Sequence, residues 1–305
     1  MKILITGASG FVGAAVLRAA IKGGHQVGAL FRPDGLTRRL TEYAGQFTPI
    51  PIDLLDIQGV AGALADYRPD AIIHTAWWGV GNAARFDLNQ YELNIAAACS
   101  LVSAAGDVGV KHFVGIGSQG EYGAGSDMKE DTLPLPTTLY GASKVAALML
   151  TRQIAAQMGI RHSWLRLFST YGADDNDGWL IPMLIGEMLA GRRPKTTLGT
   201  QKWDYLHVDD VAAGILQTAL TETATGVFNL GSGIAVPVRQ IVEKIRDLTA
   251  PDMELVFGEI PFRPDQVMHM QADISKLRSA TGWSPRISID EGLEKTVAWY
   301  RDQRG

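Results

Sequence analysis

The amino-terminal segment constrains the fold more than any other part of the chain. A short apolar run, Lys2–Thr6, leads directly into glycines at positions 7, 10 and 13, and a helical pattern follows over Phe11–Lys22. Glycine permits a tight turn and lets main-chain N–H groups approach a diphosphate at the positive end of a helix. A glycine-rich turn without a ligand is the alternative. The cofactor contacts predicted here are Gly7, Gly10, Phe11, Val12 and Gly13.

Strands and helices alternate along the first half of the chain. Further short apolar strands are predicted at residues 26–31, 47–52, 71–75, 111–116 and 162–167, and the longest helical patterns cover residues 88–105 and 140–158. Apolar strands separated by helices are typical of a parallel sheet with right-handed crossovers. We therefore expect an α/β protein with a doubly wound parallel (Rossmann) sheet.

The regular alternation ends after residue 171, where a polar loop of Gly and Asp begins. We expect residues 1–170 to form the NAD(P)-binding domain, with residues 204–222 returning to it. Residues 171–203 and 223–305, which proline interrupts repeatedly, are expected to form a smaller α/β lobe that binds substrate.

Composition limits the classes of partner. The formal net charge of −4 gives no general attraction to nucleic acid or to an anionic membrane, and no window resembles a membrane span. The single cysteine, Cys99, excludes an intramolecular disulfide and fits a cytoplasmic location. The dispersed histidines show no metal-ligand spacing.

The end of the second predicted strand bears on the choice of cofactor. A carboxylate there would bind the ribose hydroxyls of NAD, whereas an arginine suits the 2′-phosphate of NADP. The chain has Arg32 and no carboxylate at this point. NADP(H) is therefore favoured and NAD(H) is the alternative, since Arg32 could also be a solvated loop residue. Asp53, after the third strand, is either an adenine contact or an ordinary turn residue.

A tyrosine, a lysine and a serine form a candidate catalytic set. Tyr140 and Lys144 lie four residues apart at the start of a predicted helix, which puts both side chains on one face. A nearby ammonium favours phenolate, so the pair can donate and accept a proton. Ser118 follows the fifth strand, where it can donate to a substrate carbonyl. Any one of the three would be a weak signal, and the set is much more specific.

Together with these residues, the segments GASGFVG, LRLFSTYG, WDYLHVDDVA and FNLGSG resemble the extended short-chain dehydrogenase/reductase family, from residue 1 to about residue 299. The resemblance implies a redox enzyme acting on a nucleotide-diphosphate sugar. It assigns carbonyl orientation to Ser118, acid/base catalysis to Tyr140, and binding of the nicotinamide ribose to Lys144. It adds Leu54, Ala76 and Asn94 to the cofactor contacts.

The reaction type is predicted from the residues after Ser118. Dehydratases of this family carry Thr-Asp-Glu there, whereas this chain has Gln119 and Gly120, with Glu121 one place late. The segment looks most like that of 4-ketoreductases acting on deoxy sugars, with Tyr140 as proton donor. A C4 epimerase that retains NAD is the runner-up. A regulator that only senses NADP is a minor alternative.

The resemblance also suggests where substrate binds. Arg263 matches a pyrophosphate-binding arginine, although Trp203 stands where many relatives have a second one. Glu121 is a candidate auxiliary acid, and the tryptophans could either contact the sugar or pack the lobes. The remaining predicted substrate contacts are Trp77, Trp78, Gln119, Ser169, Leu180 and Pro182. Relatives commonly dimerise through the fourth and fifth crossover helices, so a homodimer is expected.

Overall fold

The computed structural model describes residues 1–35, 38–123, 125–264 and 266–303. Its strands are β1 (Lys2–Thr6), β2 (Gln26–Phe31), β3 (Thr48–Pro51), β4 (Ala71–His74), β5 (His112–Ser118), β6 (Arg161–Leu167), β7 (Ser169–Tyr171), β8 (Lys202–His207), β9 (Gly226–Leu230), β10 (Ala235–Pro237) and β11 (His269–Met270). Its α-helices are α1 (Phe11–Lys22), α2 (Ile57–Tyr67), α3 (Asn89–Glu92), α4 (Asn94–Asp107), α5 (Leu139–Gln157), α6 (Leu180–Leu189), α7 (Val208–Leu220), α8 (Val238–Thr249), α9 (Ser275–Thr281) and α10 (Ile289–Asp302). Within the described part of the chain, no helix combines the length and the apolar character needed to cross a membrane.

The main sheet has seven strands in the order β3-β2-β1-β4-β5-β6-β9, and each neighbouring pair is parallel. The predicted doubly wound α/β fold is therefore confirmed. The chain order reverses between β1 and β4, so the connections that follow these two strands run to opposite faces of the sheet. That divergence opens a crevice at the carboxyl edge, the usual ligand position in such sheets.

Helices cover both faces of this sheet. On one face, α1 and α7 pack against Ile3 and Ile5. On the other face, α2, α4 and α5 pack against Leu4 and Ile72. Because successive residues of a strand point to opposite faces, a continuous apolar run such as Ile3–Ile5 supplies both cores. Each fully buried side chain of this kind contributes about 1.5–3 kcal/mol.

The smaller lobe contains a second sheet in the order β10-β8-β11, with β7 also paired to β8. Its core lies between α6, α8 and α10, where Leu184, Ile241 and Val297 are buried. The lobe follows β6 and β7 directly, so it is placed over the carboxyl edge of the main sheet.

Two segments differ from the predicted domain assignment. The segment expected to return to the main sheet is split, because β8 joins the second sheet while α7 packs on α1. Conversely, β9 lies in the range assigned to the lobe but extends the main sheet beside β6. Phe228 and Leu230 of β9 are buried in the main core, which explains this placement.

The helix predicted over residues 88–105 is interrupted at Leu93, between α3 and α4. The side-chain amide of Asn94 donates to the main-chain carbonyl of Gln90 at 3.0 Å. Such a bond competes with the main-chain ladder of a helix. The interruption leaves Asn94 turned toward the loop that follows β4, where it has a structural use described below.

Candidate active site

A cavity of about 670 Å³ opens at the carboxyl edge of the main sheet. Its wall combines the β1–α1 loop, the ends of β2 to β5, the start of α5, and residues 167–182 of the chain entering the lobe. The predicted site residues on this wall are Gly7, Gly10, Phe11, Val12, Gly13, Arg32, Asp53, Leu54, Ala76, Trp77, Trp78, Asn94, Ser118, Gln119, Tyr140, Lys144, Ser169, Leu180 and Pro182.

The glycine loop is shaped to hold a diphosphate. Gly7 has φ +68°, and a Cβ atom there would lie 2.7 Å from the backbone of Ala76. A Cβ on Gly13 would overlap the carbonyl oxygen of Gly7. Gly10 precedes the first turn of α1 and has no side chain to cap it. The first N–H groups of α1 therefore remain available to an anion, and this part of the cavity fits the diphosphate of a dinucleotide.

Arg32 and Asp53 line the cavity at the ends of β2 and β3. Arg32 is exposed, so its guanidinium can turn toward a ligand. The carboxylate of Asp53 accepts a hydrogen bond from the N–H of Leu55 at 2.9 Å, as a turn residue does. Asp53 therefore forms a turn contact and also lines the cavity, so the two interpretations, turn residue and adenine contact, are compatible.

Two neighbouring arginines close this end of the cavity. Arg38 forms an ion pair with Asp174, and Arg39 donates two hydrogen bonds to the main-chain oxygen of Asp174 at 2.8 and 3.0 Å. Arg39 also contacts the side-chain oxygen of Asn176 and the main-chain oxygen of Ser9. We call these contacts the clasp. It joins the glycine loop of the main domain to the polar loop that enters the lobe.

The three candidate catalytic residues meet at the other end of the cavity. The hydroxyl of Ser118 accepts from the N–H of Gly120 at 3.1 Å. Ser118 and Tyr140 both line this end of the cavity, and the Ser118 hydroxyl lowers the pKa of the Tyr140 phenol. The ammonium of Lys144 lies 5.9 Å from the centre of the Tyr140 ring. Thr138 caps α5 by accepting from the N–H of Gly141, which fixes the start of the helix that carries both residues.

Burial controls the protonation of this group. It raises the pKa of Tyr140, although the Ser118 hydroxyl and the charge of Arg85 oppose the rise and Glu121 adds to it. Burial also lowers the pKa of Lys144 to about 7, and Glu121 partly offsets that shift. At neutral pH the phenol is thus protonated and able to donate, while Lys144 titrates close to neutrality.

Lys144 is held from two sides. Its ammonium donates to the carbonyl of Ile116 at 2.7 Å and lies 3.6 Å from the centre of the Trp77 ring. The Trp77 ring also meets the Tyr140 ring edge-on, and its N–H donates to Gln90 at 2.8 Å. Trp77 therefore supports the candidate catalytic side chains directly, a role that was not among the two considered from the sequence.

The loop after β4 is fixed by Asn94. The side-chain oxygen of Asn94 accepts from the N–H of Trp78 at 2.7 Å, and its amide contacts the Trp78 carbonyl at 3.2 Å. Asn94 therefore shapes the backbone of this loop as well as lining the cavity. His74, at the end of β4, is buried and bonds Thr6 at 2.8 Å, while burial and Lys144 lower its pKa to about 3. A neutral His74 fits a structural role.

The opposite wall comes from β7 and the start of α6. The amide of Gln119 donates to the hydroxyl of Ser169 at 3.2 Å. The oxygen of Gln119 is buried and has no hydrogen-bond partner among the described residues. A buried polar atom without a partner is costly, so a hydroxyl group of a bound ligand would be favoured here.

Glu121 does not reach the cavity, and its assignment as a substrate contact and auxiliary acid is wrong. Its side chain is fully buried behind Ser118. One carboxylate oxygen accepts from the N–H of Ser118 and the ring N–H of Trp164, both at 2.9 Å. The other accepts from Arg166 at 2.8 Å. The short 3₁₀ turn of residues 119–121 directs Glu121 inward, because it forms a capping box with Ser118.

Arg263 is also absent from the cavity wall among the described residues, and its side chain is exposed. The pyrophosphate contact of Arg263 therefore stays a prediction. The Pro-rich segment around Arg263 has no strand or helix to direct the side chain inward.

Other residues on the wall were not predicted from the sequence. Arg85 faces Tyr140, with its guanidinium carbon 5.6 Å from the centre of the ring. Asp175 and Asn176 come from the polar loop, and burial raises the pKa of Asp175 to about 7. For Asp175 and Asn176, the sequence did contain a signal, namely the Gly/Asp-rich loop that follows a strand. No local pattern marks Arg85.

A sequence model of the NAD-dependent epimerase/dehydratase family matches residues 3–231, and the chain belongs to this family. A dTDP-glucose 4,6-dehydratase of Streptomyces niveus is 29% identical, over 100% of this chain and 94% of the relative. A UDP-glucose 4-epimerase of Lactobacillus helveticus is 26% identical, over 99% and 97%. The family comprises enzymes that act on nucleotide sugars.

Solved structures agree with this placement. The UDP-glucose 4-epimerase of Thermotoga maritima with UDP-glucose has a TM-score of 0.91 and 25% identity, and each chain is covered completely. MoeE5 in complex with UDP-glucose and NAD has a TM-score of 0.86 and 28% identity, again over both whole chains. These relatives support NAD as a cofactor of the family and do not support the preference for NADP.

Proposed function

We propose that this protein reduces a 4-keto sugar carried on a nucleoside diphosphate, with NADPH as the source of hydride. The proposal is carried by one observation: the side chains of Ser118, Tyr140 and Lys144 lie together at one end of the cavity. Glu121, in contrast, is paired with Arg166. Water elimination needs a free acid and base beside the sugar. The carboxylates among the described lining residues are Asp53 and Asp175, and neither lies in the segment after β5.

The chain's own groups suit reduction. When bound, NADPH would be the source of the hydride for the carbonyl carbon of the sugar. The hydroxyl of Ser118 can donate to the carbonyl oxygen, because its bond with Gly120 uses the serine oxygen as acceptor and leaves the hydroxyl hydrogen. The phenol of Tyr140 gives its proton to that oxygen as the alcohol forms. Since burial raises the pKa of Tyr140, the resting group is the neutral acid that this step requires.

The choice of NADP rests on Arg32. It is the cavity-lining cation at the end of β2, where no carboxylate is available for ribose hydroxyls. The nearby Arg38 and Arg39 are occupied by Asp174 in the clasp. Arg32 is therefore the group that we assign to a 2′-phosphate.

A C4 epimerase with retained NAD is the second candidate, and the clasp favours it. Arg39 bridges Ser9 of the glycine loop to Asp174 and Asn176 of the entering loop. A cofactor beneath such a bridge would exchange slowly, as an enzyme that returns its hydride to the same substrate requires. The UDP-glucose 4-epimerases among the relatives also support an epimerase.

For the substrate, we propose that the sugar lies against Trp78 and beside the hydrogen-bonded pair of Gln119 and Ser169, with the nucleotide beside Leu180 and Pro182. All of these residues line the cavity. Aromatic faces pack well on sugar rings. Arg263 would contact the diphosphate only after a rearrangement of its segment. A cytoplasmic homodimer, formed through α4 and α5, remains our expectation for the assembly.

The purified protein is first denatured and the released nucleotide identified by mass spectrometry. It is then assayed for NADPH oxidation with a nucleotide-linked 4-keto-6-deoxy sugar, and separately for interconversion of UDP-glucose and UDP-galactose. Reduction with exchangeable NADP(H) supports the first proposal. Released NAD with interconversion supports the second and overturns the first. Tyr140→Phe is the matched control, which should bind cofactor and lose turnover in either assay.

A further inference from the structure

Arg85 is a cation of the active site that the reaction outlined above does not use. It follows the 3₁₀ turn Asn82–Ala84 and lines the cavity. Its carbonyl accepts from the N–H of Tyr140 at 3.0 Å, which ties its backbone to the start of α5. Its guanidinium carbon lies 5.6 Å from the centre of the Tyr140 ring. Its Nε is buried and has no partner within the described part of the chain.

The charged groups around Tyr140 differ in whether they carry an uncompensated charge near neutral pH. Lys144 loses its charge near neutrality, since burial lowers its pKa to about 7. Glu121, behind Ser118, is paired with Arg166 at 2.8 Å, so its negative charge is largely compensated. Arg85 carries a guanidinium, the side-chain cation that is always charged in proteins. Arg85 therefore remains the cation beside Tyr140 when Lys144 is neutral.

We propose that Arg85 is the fixed positive charge of this active site, a positioning residue that stabilises the phenolate left on Tyr140 after proton transfer. The guanidinium carbon lies 5.6 Å from the centre of the Tyr140 ring, and the tyrosine is buried. Water therefore screens the attraction between this cation and a phenolate only weakly. A stabilised phenolate makes the neutral phenol a stronger acid. This inference rests on the proposed acid/base role of Tyr140.

The direct test is a spectroscopic titration that needs no turnover. The ultraviolet absorbance of phenolate is followed against pH in the otherwise unaltered protein and in Tyr140→Phe, and the difference isolates Tyr140. The same difference is then measured in Arg85→Gln and Arg85→Lys backgrounds. We expect Arg85→Gln to raise the pH midpoint of the Tyr140 transition by about one unit. This is the low end of the range of about 1–3 units by which a nearby opposite charge shifts a pKa. Arg85→Lys should restore most of the shift.

An unchanged Tyr140 transition in Arg85→Gln would overturn the proposal. So would a rise in KM with unchanged kcat, since that pattern belongs to a residue that only binds substrate. If Arg85→Gln does not fold, Arg85→Met removes the same charge and is judged by the same titration. Arg152→Gln is the matched control: it removes an exposed arginine from the outer face of α5 and should leave the transition in place.

Kinetics separate this inference from the proposed function. With a reducible substrate, kcat at neutral pH should fall in Arg85→Gln by about tenfold at most, because the rate of proton transfer follows the pKa of the acid with a Brønsted dependence. A protein without any reductase or epimerase activity would defeat the proposed function, while the titration would still decide whether Arg85 acts on Tyr140.

Discussion

Replacing Glu121 by glutamine tests whether this carboxylate supports the active site or takes part in the reaction. The side chain of Glu121 has no exposed area, and that of Arg166 is 3% exposed. The carboxylate accepts hydrogen bonds from Ser118, Trp164 and Arg166. The amide of Glu121→Gln would turn an N–H group toward one of these donors and leave Arg166 without its counter-ion.

The expected loss of stability follows from this burial. Breaking a buried ion pair by removing one partner costs about 3–5 kcal/mol, because the other charge stays buried without compensation. With a urea m-value of about 3 kcal/mol per molar, the midpoint of unfolding should fall by about 1 M or more. Turnover should fall only as far as the position of Ser118 is disturbed.

Urea unfolding followed by circular dichroism, together with kcat measured well below the midpoint, decides the matter. Glu187→Gln is the control, because its partner Arg192 is 61% exposed and such pairs contribute little. The control should keep the wild-type midpoint. A Glu121→Gln protein that unfolds at the wild-type urea concentration and yet lacks turnover would refute this reasoning and identify Glu121 as a catalytic acid.

Three further changes probe the cofactor site and the buried lysine. Arg32→Ala should raise the Kd of NADPH more than that of NADH in fluorescence titrations, and an equal rise for both would exclude Arg32 as the 2′-phosphate contact. Gly13→Ala should cost about 1–3 kcal/mol of stability in urea and weaken cofactor binding, because its methyl group would overlap the Gly7 carbonyl. Lys144 has a folded pKa lowered to about 7, so above that pH the unfolded chain binds the extra proton and stability rises with pH. Lys144→Met should lose this rise and be more stable than the wild type at neutral pH, and parallel stability–pH curves for the two proteins would contradict the assignment.

Features with a local physical cause were predictable from the sequence. The glycine spacing, the four-residue separation of Tyr140 and Lys144, and the apolar runs of β1 to β6 each reflect the geometry of one turn, one helix or one strand. The fold class followed from the alternation of these elements. The bounds of α1 and β2 agree with the prediction residue for residue.

The tertiary structure decided the features that depend on residues far apart in the chain. Glu121 lies two residues after the cavity-lining Gln119, yet it is buried in the core, where it accepts hydrogen bonds from Arg166 and Trp164 on a neighbouring strand. Arg39 meets Asp174 across 135 positions, and β9 joins a sheet that its flanking sequence does not indicate. No local pattern could place these contacts, because they form only when segments distant in the chain pack together. The sequence alone was enough for the glycine loop and the Ser118, Tyr140 and Lys144 set, while the charges around them, including that of Arg85, were decided by packing.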